Sequence, residues 1–292
     1  MADHETDFDW AALGPVLERG AEVQSPLYTD AVAWLASTAR ADREDIRLVV
    51  DVGAGPGVIT ALLAAAFPSA RVIALDGSPE LLALAAERAR RSGLGERMET
   101  LVVDLPDGMR DLVELLGAAD VVWSSHVLHH LGDQQDAIRL VGGLLRPGGL
   151  LGIAEGGLPM RTLPRDIGAG RPGLEARLDA GNEAWFAEMR AELPGATPAV
   201  EHWPALIAAA GLHPSGSRTF LLDLPAPLDR AGVELVRRRF ERSRETLSER
   251  IEADDLAVLD LLLDADQPDG LDQRDDVFVL TATTVHLARA AG

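Results

Sequence analysis

Asp51, Gly53, Gly55 and Gly57 form a D-x-G-x-G-x-G pattern, placed directly after the apolar run Ile46–Val50 and just before a helical-looking stretch ending at Phe67. Glycine adopts positive φ and lets main chain approach a ligand with no Cβ in the way, so this spacing describes a backbone loop shaped around a bound molecule. The dinucleotide fingerprint G-x-G-x-x-G, which seats a pyrophosphate on a helix N-terminus, needs its third glycine where this chain has Val58. Asp76, followed by Gly77, closes the next apolar run, and an acid there can accept hydrogen bonds from both hydroxyls of a ribose. Asp104 and Leu105 close a third run, and Ser124, Ser125 and His126 a fourth, with His129 and His130 close behind. Histidine titrates near neutrality, which makes His126 the first candidate for a general base or substrate contact and His130 the second. His126 and His130 would also stand at i and i+4 of a helix, a spacing that can bind metal, although no metal is expected and His129 reads as structural.

These residues need a scaffold that brings strand ends together. From residue 46 onward strand and helix signals alternate, with candidate strands at 46–52, 70–76, 98–104, 119–125 and 150–155. Continuous Val/Ile/Leu runs suit strands covered on both faces, so the pattern predicts an α/β doubly wound, mostly parallel sheet. Such sheets bind ligands at the carboxyl ends of their strands, where all the residues above fall. Ser78-Pro79 and Asp133 read as helix starts, and Pro147-Gly148-Gly149 as a turn before the fifth strand. Short helices are expected over 10–40, a helix around Trp185 and Phe186, further strands at 217–224 and 276–290, and a charged helical segment of about forty residues between those two.

The loop together with Asp76 and Asp104 resembles the class I S-adenosylmethionine-dependent methyltransferases. The resemblance implies a seven-stranded Rossmann-like sheet and S-adenosyl-L-methionine as cofactor, with S-adenosyl-L-homocysteine as product. It also implies that Asp51, Gly53, Gly55 and Gly57 curve beneath the methionine part, that Asp76 and Gly77 meet the ribose, and that Asp104 and Leu105 meet the adenine. Ser124 and Ser125 then lie beside the methyl-transfer region. On this reading residues 1–45 form a helical cap and 46–155 the cofactor-binding core. Residues 156–200 are a lid or substrate insertion, and 201–292 complete the sheet around a helical insertion at about 226–272. Trp10, Tyr28, Trp34, Trp185 and Phe186 are candidates for the lid.

Composition narrows the chemistry. The 292 residues carry a formal net charge of -20, with arginine as the only strongly basic residue type because no lysine occurs, and this acidity disfavours nucleic acid and anionic membrane as partners. Its longest basic run, Arg237–Arg239, falls in a helical segment and reads as a solvated face. Zero cysteines exclude disulfides, iron–sulfur clusters and a thiolate nucleophile. No apolar run reaches the roughly 18 residues of a membrane helix, and the acidic start lacks a secretory layout, so a cytoplasmic protein is expected. With the resemblance, this composition favours a small-molecule methyl acceptor, bacterial secondary metabolism is the expected setting, and a homodimer is compatible with the sequence. Two rival readings are a cofactor-binding regulator without catalysis and a nicotinamide-dependent oxidoreductase, the latter opposed by the glycine spacing and the absence of a Tyr-x-x-x-Lys pair.

Overall fold

The computed structural model describes residues 10–42, 44–105, 107–116 and 118–292. Helices α1 (Trp10–Val23) and α2 (Ser25–Asp42) precede β1 (Leu48–Val52), α3 (Val58–Ala66), β2 (Arg71–Asp76), α4 (Pro79–Arg91), β3 (Met98–Val102) and α5 (Met109–Leu116). Next come β4 (Ala119–Ser125), α6 (Gln134–Gly143), β5 (Leu145–Arg161), α7 (Leu174–Glu192) and α8 (Trp203–Ala209). The chain closes with β6 (His213–Leu224), α9 (Arg230–Leu247), α10 (Ala253–Leu263) and β7 (Val279–Arg289). The seven strands form one sheet in the order β3-β2-β1-β4-β5-β7-β6, parallel at every pairing from β3 to β5. The doubly wound α/β expectation is therefore met, and strand order reverses between β1 and β4, the place where such sheets open a ligand crevice.

Two expectations differ from what is observed. Strand β5 begins at Leu145, so Pro147–Gly149 is not a turn but an irregular stretch of strand, where the β4 register slips between Ala119 and Val121 and Gly148 takes φ 72°. The forty-residue helical segment is two helices, α9 and α10, although neither Gly nor Pro marks the break between 248 and 252.

The chain divides into two compact units. One comprises the described residues up to Glu155 with Pro198–Arg218 and Val285–Gly292; the other comprises Gly156–Thr197 and Thr219–Thr284.

In the first unit, side-chain alternation along each strand sorts the core. Val50, Val52, Ile73, Leu75, Val122, Leu151 and Ile153 join residues of α5, α6 and α8 in one buried cluster. On the opposite face Ala74 packs with Leu82, Ala85 and Ala89 of α4, and Trp123 approaches Leu35 of α2 over Gly152. Tyr28, only 5% exposed, belongs to the core and not to a lid surface. Helix α1 is tied to α4 by Arg88, which pairs with Glu18 at 2.7 Å and with Glu22.

Ser78 caps α4 as expected, its hydroxyl accepting from the Leu81 amide at 3.2 Å, and Asp133 caps α6 through the Asp136 amide at 2.9 Å. At the start of α3, Gly57 takes φ 77°, and a Cβ there would sit 2.6 Å from the Ala85 Cβ and 2.9 Å from its Cα. Left-handed strain and a backbone clash then act together. Gly57→Ala is expected to cost about 2–4 kcal/mol of stability, read as a lower urea midpoint with an unchanged slope.

In the second unit, buried carboxylates organise the helices. Glu175 on α7 accepts from the Thr162 amide and hydroxyl, each at 3.0 Å, and pairs with Arg239 of α9 at 2.7 Å. Asp255 on α10 is 1% exposed and receives the Arg177 guanidinium through two bonds of 2.7 Å. That hydrogen-bonded guanidinium, against the cost of burial, holds the Asp255 carboxyl below its ordinary range.

Candidate functional site

The carboxyl ends of β1, β2, β3 and β4 carry the candidate residues, and Glu155 lies within β5, all in the first unit. After β1 the chain turns through Gly53 (φ 74°), Gly55 (φ 52°) and Gly57, three left-handed positions in five residues. The amides of Gly53 and Ala54 both donate to the Leu75 carbonyl, at 2.8 and 2.9 Å, pinning the loop to β2. A Cβ on Gly53 would lie 2.0 Å from Val127 Cγ2, so glycine there is imposed by protein packing. Around Gly55 a Cβ would meet nothing within 4 Å. The middle glycine thus borders open space, as a cradle for a ligand requires.

Asp51 lies beneath the loop, 2% exposed, and its carboxylate accepts from the Thr60 hydroxyl at 2.6 Å. Burial pushes its pKa up to about 7, the Thr60 hydrogen bond pulls the other way, and the nearby Asp76 charge adds to the rise. Asp76 accepts from the Gly55 amide at 2.8 Å through Oδ2 and from the Ser78 amide at 3.0 Å through Oδ1. Each oxygen keeps a second lone pair, and the residue is only half-buried, so both can still take a hydroxyl donor. Asp104 is exposed beyond β3, its Oδ1 3.8 Å from where a Gly77 Cβ would stand, which sets the two strand-end acids side by side. Leu105 is partly buried against the core beside them.

At the end of β4, the hydroxyl oxygens of Ser124 and Ser125 are buried and have no hydrogen-bond partner among the described residues. Buried polar atoms of this kind await a donor or acceptor from a ligand or water. His126 follows at φ 55°, a left-handed conformation rare for a residue with a Cβ, held by a hydrogen bond that its amide donates to the Ala154 carbonyl at 3.1 Å. The residue as a whole is exposed, yet its ring is crowded by protein. Desolvation lowers its pKa, the Glu155 charge opposes this, and His129 adds to the lowering.

Glu155, at the end of the apolar core of β5, was not singled out from the sequence. It is 2% exposed; its Oε1 accepts from the amides of Val127 at 3.0 Å and Leu128 at 2.9 Å, while its Oε2 meets His129 Nδ1 at 2.8 Å. Burial raises its pKa, but the His129 hydrogen bond, the neighbouring imidazoles and the Leu128 amide together hold it below the ordinary carboxylate range. Ligand atoms of His126, His129 and Glu155 lie within 4.8 Å of one another, so the cluster that forms is not the His126–His130 pair of the helical spacing. Residues Leu128–His130 make a 3-10 turn, and the exposed His130 stacks at a tilt 4.1 Å from His129. Of the aromatic candidates outside the strand ends, Trp34 is partly buried and Trp185 and Phe186 lie on α7 in the second unit, while the side chain of Trp10 lies outside the described residues.

Residues 50–151 match the family model of a methyltransferase domain. A trans-aconitate 2-methyltransferase of Methylobacterium radiotolerans is 38% identical over 140 residues, 46% of this chain and 48% of that protein. A release factor glutamine methyltransferase of Moorella thermoacetica is 35% identical over 167 residues, 49% of this chain and 59% of that protein. The chain thus spans about half the length of these curated relatives. A solved O-methyltransferase family protein of Burkholderia thailandensis, 18% identical, superposes with a TM-score of 0.50 over 94% of this chain and 58% of that one, a likeness of fold. Among the described residues, no helix is long and apolar enough to cross a membrane.

Proposed function

We propose that this chain, whose residues 50–151 match a methyltransferase-domain model, is a class I S-adenosylmethionine-dependent methyltransferase that transfers a methyl group to an oxygen, nitrogen or carbon nucleophile of a small molecule. The observation that carries the reading is the conjunction at the strand ends: a glycine cradle open at Gly55, with Asp76 beside it and Asp104 next to Gly77. The donor set fits the cofactor. Asp51, Gly53, Gly55 and Gly57 would hold its methionine part, Asp76 and Gly77 its ribose, Asp104 and Leu105 its adenine, and the unpartnered hydroxyls of Ser124 and Ser125 would lie beside the reacting end. When bound, its sulfonium supplies an electrophilic methyl carbon, which the acceptor takes as the carbon–sulfur bond breaks. Holding the acceptor in line and excluding water is the chain's main contribution.

Acceptors that must lose a proton need a base, and the turn after β4 offers two imidazoles. His126 is exposed and has a lowered pKa, so it is neutral near pH 7 and ready to accept a proton. His129 is oriented by Glu155 at 2.8 Å, the arrangement that fixes a tautomer, and this contact favours it as a second reading of the base. Alanine variants of each separate the two. A small acceptor is supported by the acidic surface, with its net charge of -20, and by relatives named for trans-aconitate. Incubation with methyl-labelled S-adenosylmethionine tests the reading: label should pass to a small acceptor as S-adenosylhomocysteine accumulates. Cofactor binding with no turnover for any acceptor would leave a regulatory binder instead.

The Asp51 environment adds a pH signature. Its carboxyl, raised to about 7, is substantially protonated at pH 6, whereas an ammonium group held near it favours the ionised form. Cofactor binding is therefore expected to release a proton below pH 7, and affinity to climb between about pH 6 and pH 8. Calorimetry in two buffers of different ionisation enthalpy measures that proton; a release that vanishes in Asp51→Asn assigns it.

A further inference from the structure

Helices α7 and α9 pack against each other in the second unit, where Gly181 allows close approach: a Cβ there would already touch Leu247 at 3.3 Å. Beside this contact a cavity of about 330 Å³ opens, lined from α7 by Asn182, Trp185 and Phe186 and from α9 by Arg239, Arg242 and Ser243. The residues fall at i, i+3 and i+4 on both helices, so one face of each supplies the walls. The two cations differ. Arg239 is neutralised by Glu175 at 2.7 Å and Asp179 at 3.5 Å. Arg242 is exposed and, among the described residues, has neither ion pair nor hydrogen bond; its guanidinium stands 5.8 Å from the centroid of the Trp185 ring. The Asn182 amide and the Ser243 hydroxyl likewise have no hydrogen-bond partner among the described residues.

Two aromatic side chains, one uncompensated guanidinium and two neutral polar groups converging on a concave space make the usual composition of a small-ligand pocket. An arginine fork matches a carboxylate in two parallel hydrogen bonds, and the adjacent Trp185 ring restricts its plane. Flat rings pack best against aromatic walls. Glu183 on the same lining opposes negative charge beyond what Arg242 offsets, which favours a monoanion over a dianion. We propose that this cavity binds a planar aromatic monocarboxylate, with its carboxylate on Arg242 and its ring against Trp185 and Phe186. Asn182 and Ser243 serve a polar substituent of the ring.

The site is independent of methyl transfer and is tested by binding alone. Fluorine NMR titrations with 4-fluorocinnamate and its neutral amide, 4-fluorocinnamamide, compare charge at constant shape. The acid should bind at least about tenfold more tightly than the amide. Arg242→Gln, at an exposed position, should weaken the acid by about tenfold and abolish its advantage, while Trp185→Leu should weaken both probes. Equal binding of acid and amide, full affinity in Arg242→Gln, or no binding of the acid at about 10 mM would overturn the proposal. S-adenosylhomocysteine, titrated in parallel, keeps the two readings apart. Its failure to bind wild type would count against the methyltransferase reading and leave the pocket result standing.

Discussion

Asp76→Ala will lose S-adenosylhomocysteine affinity by at least about 100-fold while remaining folded. Two ribose hydroxyls donating to one carboxylate form two charge-assisted hydrogen bonds, each worth about 1.5–3 kcal/mol, so the expected loss is about 10²–10⁴-fold. Asp76 also receives the Gly55 amide at 2.8 Å, which means that the variant loosens the cradle as well as removing the ribose partner. Both effects act in the same direction. Asp76→Asn keeps one acceptor oxygen and should fall between, at about tenfold. A thermal melt within a few degrees of wild type separates lost binding from lost fold, because Asp76 is half-buried and its backbone partners can turn to water. Wild-type affinity in Asp76→Ala would remove the ribose role.

Glu155→Gln should lower kcat by about 10²–10³-fold for acceptors that must be deprotonated, with cofactor affinity changed less than about threefold. The substitution is nearly isosteric and leaves a carbonyl able to serve the Val127 and Leu128 amides, so the turn survives. What changes is the group opposite His129 Nδ1, where an acceptor becomes a donor that holds the imidazole in the opposite tautomer, with its proton on Nε2. The Glu155 charge also raises the pKa of His126 against the dominant desolvation, so its removal lowers that pKa further. The acidic limb of the pH–rate profile should accordingly move to lower pH if His126 is the base. Glu155→Ala is the harsher change, stranding three donors at a buried position, and should cost about 3 kcal/mol or more of stability. A purely structural Glu155 would give Glu155→Gln a lower melting temperature with an unshifted pH profile.

The cradle and the two strand-end acids were legible because local chemistry marks them. Gly53, Gly55 and Gly57 all take positive φ, a conformation that strongly favours glycine, and Asp76 and Asp104 each close an apolar run. Glu155 also closes an apolar run, but its meaning resides in partners 26 to 28 residues away, and no local pattern announces that pairing. His129 was visible as a residue type and invisible as half of a hydrogen-bonded pair for the same reason. The parallel, doubly wound character of the sheet followed from strand–helix alternation, whereas its strand order did not, and the long β5 was obscured by Pro147, Gly148 and Gly149, turn formers absorbed here into an irregular strand. In the second unit the organising contacts are arginine–carboxylate pairs such as Arg177–Asp255 and Arg239–Glu175, which look in sequence like ordinary solvated charge. The α9–α10 break hides in that same composition.

Calorimetric titration of S-adenosylhomocysteine and NAD⁺ into separate samples of the chain most directly tests whether the β1 cradle is built for an adenosyl-sulfur ligand. The predicted result is one equivalent of S-adenosylhomocysteine binding in the micromolar range, with no saturable heat from NAD⁺. Tight NAD⁺ binding with none of S-adenosylhomocysteine would contradict it.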